Sequence, residues 1–204
     1  MKVLTDRGEE PPGATPLDEE ELEGLKQSWI TTRGDLNEAE ADNILSGQSK
    51  WTKRRNTLDR ILDDKTVRDL HKDLFGQVWS WAGTYRRTER TIGIDPIYIS
   101  VEVRNLVEDA KYWFAENSDL SIDAAAVRFH HKLVAIHPFA NGNGRHSRFM
   151  TDLILRALGA PEFTWGGSQG NVLSTATEVR AKYLAALRAG DVGDCEPLLS
   201  FVRS

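Results

Sequence analysis

Apolar residues recur every three to four positions over most of the chain, which is the spacing of a helix that buries one face. The clearest example ends before Gly83, a residue type that often stops helices, and contains five apolar positions: Val67, Leu70, Leu74, Val78 and Trp81. Apolar spacing combined with cap and stop residues predicts eight helices, at 18–27, 37–45, 65–82, 101–116, 121–136, 145–158, 174–189 and 196–202. The pattern therefore predicts an all-α fold.

Residues 85–99 depart from the helical pattern. Two short apolar segments, 91–94 and 97–99, flank Asp95-Pro96, a dipeptide typical of turns. The isoleucines of both segments favour strands, so the sequence predicts a short β-hairpin here. Three arginines in this region are interpreted as a solvated edge: Arg86, Arg87 and Arg90.

Composition narrows the function classes. The 204 residues suffice for one domain with small additions, and the net charge of −5 argues against a general nucleic-acid or membrane-surface binder. No apolar stretch approaches the roughly 20 residues needed to span a bilayer. The single cysteine, Cys195, cannot form an internal disulfide, which suits a reducing cytoplasm. Residues 1–16 are rich in Pro, Gly and Glu and are predicted to be a flexible tail.

Residues 137–148 read His-Pro-Phe-Ala-Asn-Gly-Asn-Gly-Arg-His-Ser-Arg. Pro138 disfavours a helical backbone at His137, so the preceding helix should end there. Two glycines flank Asn143 and allow a turn, after which a new helix is predicted to start at about Arg145. Free N–H groups at a helix start, together with the positive end of the helix dipole, favour binding of an anion.

Three side chains add chemistry to this turn. Arg145 and Arg148 are three positions apart, so both lie on one face of the new helix and can bind the same anion. His137 precedes the turn and is of the residue type best suited to accept a proton near neutral pH. The pattern predicts a polyphosphate site with a general base beside it.

The string H-P-F-x-x-G-N-G-R-x-x-R resembles the signature of the Fic family, and all eight specified positions are matched. The resemblance covers about 64–202, including the C-terminal segments 183–188 and 193–194. It implies an all-α bundle with a β-hairpin flap over the cleft, a Fic domain at 64–204, and an N-terminal helical extension at 17–63. The run Ile30-Thr31-Thr32-Arg33-Gly34 is similar to Fic proteins called mobile mystery protein B.

The resemblance implies transfer of AMP from ATP to a Ser, Thr or Tyr hydroxyl of a target protein, which includes the chain itself as a candidate. His137 would be the base, and Phe139 would point into the core. The nucleotide would be held by residues from the motif and from the C-terminal region: Gly142, Asn143, Gly144, Arg145, Arg148 and Tyr183. Asn143 and Arg145 would also assist catalysis. The oligomeric state stays open, a homodimer included.

The flap would contribute target binding. Ile92 and Gly93 lie where the family's flap is expected to align a target segment by strand addition. An ordinary hairpin tip packed on the cleft is an equally good interpretation of these two residues.

Asn141 departs from the pattern of active family members, which commonly have Asp or Glu here to hold Mg²⁺. An amide is a weaker ligand for Mg²⁺ or Mn²⁺ than a carboxylate. A weaker metal requirement or a slower reaction is expected, and a different donor nucleotide stays open.

The N-terminal region contains a candidate inhibitory segment. The run from Thr31 to Asn37 resembles the family's inhibitory form [S/T]-x-x-x-E-[G/N], with Asp35 in place of Glu. One hypothesis is that Asp35 pairs with Arg148 and restrains activity. The alternative is a helix-entry turn, with Asn37 capping the helix at 37–45 and Glu40 completing a capping box.

Other functions remain alternatives. A kinase-like relative would transfer a phosphoryl group, and a binding module would use the nucleotide only as a switch. A metal-dependent hydrolase would need four histidines whose spacing matches no usual zinc pattern: His130, His131, His137 and His146.

Overall fold

The computed structural model describes residues 19–167 and 176–204, and this part of the chain is mostly helical. Nine α-helices are present in the described residues: α1 Glu19–Glu23, α2 Arg33–Thr52, α3 Leu58–Ile61, α4 Asp64–Phe75, α5 Ile99–Trp113, α6 Ile122–Ile136, α7 Asn143–Ala157, α8 Ala176–Asp191 and α9 Glu196–Val202. None of these helices is long and apolar enough to cross a bilayer. The predicted all-α fold is confirmed, while the predicted tail at 1–16 lies outside the described residues.

Side-chain caps set several helix starts. Asp63 accepts hydrogen bonds from the N–H groups of Lys65 and Thr66 at the start of α4, and Ser121 caps α6 as predicted. Helix α2 begins at Arg33 rather than at 37, because Thr32 is its N-cap and exchanges capping-box bonds with Asp35. The predicted cap at Asn37 is therefore wrong.

Helix α4 ends at Phe75, seven residues before the predicted end at 82. The cause is Asn43 of α2, whose Nδ2 donates to the Asp73 carbonyl at 3.0 Å while its Oδ1 accepts from the Gln77 N–H at 2.8 Å. This amide takes the place of the next helical turn. Residues 76–82 form turns that pack Val78 and Trp79 into the core without extending the helix.

The core has two parts that share the central pair α6 and α7. The main part is formed by residues of α1 to α7 and includes Phe129 and Met150 of the central pair. The second part lies between the central pair and α8 and α9, and includes Val127 and Leu155. Because α2 packs along α4 and buries Leu36 and Trp51 in the main core, the N-terminal extension is integral to the fold.

The structure does not confirm the hairpin. Residues 85–95, here called the flap loop, contain no regular strand. The segment predicted as the second strand forms a 3₁₀ turn, Pro96–Tyr98, and the first residue of α5. Asp95 Oδ1 caps this turn by accepting from the Ile97 N–H at 2.9 Å, so the Asp95-Pro96 pair starts a helix instead of turning a hairpin.

Candidate active site

The motif loop, residues 137–142, joins α6 to α7 through two residues with left-handed backbone. His137 closes α6 with φ 52° and ψ 59°, and its N–H still reaches the Leu133 carbonyl at 3.3 Å. Gly142 opens α7 with φ 79°, and a Cβ there would lie 2.5 Å from the Phe75 ring. Only glycine combines this backbone with so close an approach.

Asn143 holds the motif loop closed. Its Oδ1 accepts from the Phe139 N–H at 2.9 Å, and its Nδ2 donates to the Phe139 carbonyl at 2.8 Å. The structure thus shows an internal role for this side chain, and its predicted contact with phosphate stays a prediction. Phe139 is fully buried, as predicted.

His71 supports the motif loop from α4 and was not identified from the sequence. Its Nδ1 accepts from the Gly83 N–H at 3.0 Å, so the proton is on Nε2, which donates to the Asn141 carbonyl at 3.0 Å. The ring stacks on Phe139 with 3.7 Å between centroids. Burial, followed by the charge of His146, lowers the pKa of His71 well below its usual value, so the ring is neutral. Its position between Leu70 and Leu74 in the apolar stripe of α4 could have indicated that His71 is buried.

The start of α7 presents hydrogen-bond donors to the space in front of the loop. The helix's own bonding begins with the His146 N–H, which donates to the Gly142 carbonyl at 2.9 Å. The N–H groups of Asn143, Gly144 and Arg145 therefore precede the first helical bond. A Cβ added at Gly144 would meet nothing within 4 Å, so this helix end faces open space.

A cavity of about 540 Å³ lies in front of this helix end, between α2, α6, α7 and α8. Five arginines line it: Arg33, Arg145, Arg148, Arg180 and Arg188. Two carboxylates, Glu40 and Asp191, also line it, so positive charge is in excess. One wall is apolar and is formed by Val134, Ala135, Leu184 and Leu187. The cavity suits a ligand with a flat apolar part and several negative charges.

Glu40 of α2 is the acidic group that reaches the motif. Its Oε2 forms an ion pair with Arg145 Nη1 at 2.6 Å, and its Oε1 accepts from Trp79 Nε1 at 2.7 Å. The Arg145 guanidinium also lies 4.9 Å from the centre of the Phe75 ring. Sequence reasoning gave Glu40 only a capping role. Its spacing from the buried Leu36 on the same helix face could have indicated burial.

Asp35 does not pair with Arg148, so the inhibitory hypothesis for it is wrong. Its Oδ2 accepts from the N–H groups of Thr31 at 3.0 Å and Thr32 at 2.9 Å. These bonds, that of Thr31 first, lower the pKa of Asp35 and hold it in the capping box of α2, whose N-cap is Thr32. The alternative interpretation, a helix-entry turn, is confirmed, although the cap is Thr32.

Arg148 lies over the Tyr183 ring, with 5.3 Å from its guanidinium carbon to the ring centre. Asp152, one turn along α7, does not pair with Arg148 and accepts a hydrogen bond from Trp165 Nε1 at 3.0 Å. The Tyr183 hydroxyl is 2.9 Å from His130 Nε2, and burial raises the pKa of Tyr183 to about 12. Tyr183 thus borders the cavity and supports Arg148 with its ring.

His137 lines the same cavity and is 8% exposed. Burial, followed by the charge of Arg86, lowers its pKa to about 4. The imidazole is therefore neutral at pH 7 and able to accept a proton. His137 is brought together with the start of α7 and with both motif arginines, as the sequence predicted.

Residues 61–155 match the profile of the Fic/DOC family, a range that contains the motif loop and the helix before it. The chain belongs to the Fic/DOC family. Protein adenylyltransferase fic-1 of Caenorhabditis elegans is 30% identical over 148 residues, which cover 69% of this chain and 26% of that protein. Protein adenylyltransferase Fic of Drosophila grimshawi is 29% identical over 143 residues, covering 68% and 27%. The chain spans about a quarter of the length of these curated relatives.

Solved Fic structures share the helical arrangement. A fragment of C. elegans Fic-1, residues 134–508 of that protein, superposes with a TM-score of 0.63 at 24% identity, over 89% of this chain and 56% of that one. BepC from Bartonella tribocorum, solved with bound AMPPNP, has a TM-score of 0.65 at 17% identity, over 91% and 97%. These likenesses show that the helices around the motif loop adopt the Fic fold.

The flap loop of this Fic fold packs on His137. Ile92 lies at the cavity mouth and is 45% exposed, and a Cβ added at Gly93 would lie 2.7 Å from the His137 Cβ. Arg86 is 5% exposed, so its interpretation as part of a solvated edge is wrong. Arg90 pairs with Glu21, and Arg87 is exposed as expected.

The residues present do not fit a metal held by the protein. Asn141 Oδ1, the predicted ligand, accepts from the Gly142 N–H at 2.6 Å and lies 3.5 Å from Arg145 Nη2. No group of three or more His, Cys, Asp or Glu residues in the described part of the chain could hold a metal ion. His146 Nε2 lies 2.9 Å from the Val67 carbonyl and His130 contacts Tyr183, so the histidines considered for a hydrolase have separate partners.

Proposed function

We propose that this Fic domain is a protein adenylyltransferase that moves AMP from ATP to a Ser, Thr or Tyr hydroxyl of a target protein. The observation that carries the proposal is one cavity that contains a neutral, buried histidine, a helix N-terminus and two motif arginines. The histidine can act as a general base, and the helix N-terminus and the arginines can bind a polyphosphate. Nucleotidyl transfer needs both functions in one site.

The triphosphate would lie across the start of α7. The N–H groups of Asn143 and Gly144 would bind the α- and β-phosphates, since the Gly142 N–H is used by Asn141. Arg145 would reach the β- and γ-phosphate oxygens, and Arg148 the γ-phosphate. The nucleoside would lie against the apolar wall of the cavity, near Tyr183.

The transfer itself forms one bond and breaks one. His137 accepts the proton of the acceptor hydroxyl, and that oxygen attacks the α-phosphorus of ATP. The bond between the α-phosphorus and the oxygen bridging to the β-phosphate breaks, so pyrophosphate leaves while Arg145 offsets its charge. Positioning and charge compensation supply most of the rate in phosphoryl transfer, and this cavity offers both.

The acceptor would approach from the flap loop. Ile92 and Gly93 border the cavity mouth beside His137, where a target segment would align its hydroxyl with the base. The cytoplasmic location, the homodimer and the mobile mystery protein B subgroup stay predictions. A target protein, the chain itself among the candidates, is the partner that the proposal requires.

The test uses all four nucleoside triphosphates labelled at the α-phosphate, and ATP labelled at the γ-phosphate, with Mg²⁺ or Mn²⁺ and a cell lysate. Loss of the base should slow transfer by about 10²- to 10⁴-fold in His137→Ala. Binding of a fluorescent ATP analogue should be nearly unchanged in that variant, which serves as the control for an intact cavity.

Three outcomes separate the candidates. A His137-dependent α-label, seen as a nucleotidyl adduct by mass spectrometry, would support the proposal and identify the donor. A γ-label would instead indicate the kinase-like alternative. Nucleotide binding without any label would indicate a binding module.

A further inference from the structure

Arg86 is a buried cation whose hydrogen bonds all go to the backbone. Among the described residues, its guanidinium donates to four carbonyl oxygens, with Nε at 2.7 Å from His137, Nη1 at 2.9 Å from Thr88, and Nη2 at 2.5 Å from Ile94 and 3.4 Å from Ile136. Only 5% of the residue is exposed, so these hydrogen bonds offset the cost of burying the charge.

These carbonyls belong to two separate segments. Thr88 and Ile94 lie in the flap loop, whereas Ile136 and His137 end α6 and begin the motif loop. The Arg86 N–H adds a bond to the Pro138 carbonyl at 2.9 Å. A guanidinium can join both segments because its donors point in several fixed directions, which the single ammonium of lysine cannot reproduce.

Gly93 completes the contact from the flap side. It has φ 113°, and an added Cβ would lie 2.6 Å from Arg86 Nη2 and 2.7 Å from the His137 Cβ. The backbone of the flap loop therefore lies directly against the arginine and the histidine. The Ile94 N–H also reaches the Ile136 carbonyl at 3.4 Å.

We infer that Arg86 is a positioning residue, which holds the flap loop and the backbone of His137 together as one unit and thereby fixes where an acceptor hydroxyl meets the base. The inference rests on the proposed transfer function for its catalytic consequence. The structural part concerns the chain alone and can be measured without any reaction.

Besides its hydrogen bonds to the backbone, Arg86 acts on His137 through its charge. After burial, it is the largest cause of the lowered pKa of His137, and Arg90 of the flap loop adds to it. Charged groups on the other elements also line the cavity that His137 borders: Glu40 of α2, Arg145 and Arg148 of α7, and Arg180, Arg188 and Asp191 of α8.

The first experiment compares hydrogen–deuterium exchange of the wild type with Arg86→Gln, Arg86→Lys and the exposed neighbour Arg87→Gln. In Arg86→Gln, exchange in peptides covering the flap loop should rise at least about tenfold, because several bonds that anchor the loop are lost. Arg86→Lys should show a smaller rise, and Arg87→Gln should match the wild type. Exchange in α6 and α7 is the control for an intact fold.

Gly93→Ala tests the same unit without removing the arginine. The added methyl group should displace the flap loop and raise its exchange while α7 stays protected. This variant keeps the inference testable if Arg86→Gln does not fold. Unchanged flap exchange in every folded variant, or equal rises in the flap loop and the central helices, would overturn the inference.

The second experiment separates acceptor positioning from nucleotide binding. In Arg86→Gln, the KM for a protein or peptide acceptor should rise about tenfold or more, while the Kd for an ATP analogue should change less than about threefold. Weakened nucleotide binding with an unchanged acceptor KM would contradict the assigned role. If the wild type transfers no label from any donor but the exchange results hold, the proposed function fails and the structural role of Arg86 stands.

Discussion

The motif loop and the flap loop meet at His137, and they are stabilised from different sources. The motif loop takes close hydrogen bonds from its own neighbourhood, with Asn143 bonded to Phe139 and Asn141 bonded to Gly142. The flap loop depends on distant partners, because Arg86 binds carbonyls about 50 positions along the chain and Arg90 pairs with Glu21. A locally stabilised loop is formed whenever its segment is folded, whereas a distantly stabilised one depends on the whole domain.

This difference suits the proposed roles. A phosphate site benefits from a preformed turn, since no binding energy is then lost in ordering it. A loop that positions a protein segment benefits from attachment beside the base, which the bonds of Arg86 to both segments supply. The contrast is incomplete, because His71 and Glu40 approach the motif from other helices.

The largest expected effect comes from the left-handed glycine of the motif loop. Gly142→Ala should lower the free energy of unfolding by about 2–5 kcal/mol, since it combines backbone strain with a clash against the Phe75 ring. Gly144→Ala is the matched control in open space and should be neutral or stabilising by about 0.4–1 kcal/mol. Urea denaturation of both variants measures this, and equal effects would mean that local backbone geometry does not limit the loop.

Asn143 gives the next effect. Asn143→Ala should cost about 1–3 kcal/mol for each Phe139 backbone group left without its partner. Asn143→Asp sharpens the test, because a carboxylate can accept from the Phe139 N–H but cannot donate to its carbonyl. Thermal unfolding should rank the wild type above both variants. Wild-type stability in Asn143→Ala would show that the loop is held from outside.

The buried histidines around the motif predict a dependence of stability on pH. Burial lowers the pKa of His137 and of His146 to about 4, below the value of about 6.5 in an unfolded chain. The unfolded state therefore binds more protons below pH 6.5, so the free energy of unfolding should fall as the pH drops from about 6.5 to 4. Each histidine should contribute up to about 1.4 kcal/mol per pH unit.

His146→Gln isolates the contribution of His146 to this pH dependence. The slope of unfolding free energy against pH should decrease by up to about 1.4 kcal/mol per unit in that variant. The slope, measured by urea titrations between pH 5 and 6, is independent of any constant loss of stability. A slope equal to that of the wild type would indicate that His146 is protonated in the folded protein.

The smallest expected effect concerns Glu40, which contacts the motif from the distant helix α2. Glu40→Gln keeps an acceptor for Trp79 but removes the charge that pairs with Arg145, so an ATP analogue should bind up to about tenfold more tightly, a gain of about 1.4 kcal/mol. Asp35→Ala is the control on the same helix. It should cost about 1 kcal/mol of stability through the lost cap and leave nucleotide affinity unchanged. Weaker binding in Glu40→Gln would mean that Glu40 orients Arg145 for the nucleotide.

The extent of agreement between sequence and structure follows the same division. The motif loop and its flanking helices could be predicted, because a proline, two glycines and the apolar spacing of α6 and α7 act over a few residues. The flap could not. Its isoleucines favour strands in isolation, but Asp95 and Pro96 start a 3₁₀ turn and Arg86 occupies the carbonyls of Thr88 and Ile94.

By itself, the sequence determined the helical class, the position of the motif turn and the chemistry of His137 and the two motif arginines, since these depend on residue type and short spacing. Only the tertiary structure decided which acid meets Arg145 and what holds the flap loop. Those pairings join residues 50 to 105 positions apart, such as Arg86 with Ile136 and Glu40 with Arg145. No local pattern specifies them, because packing of α2 and α4 against the central helices brings their side chains together.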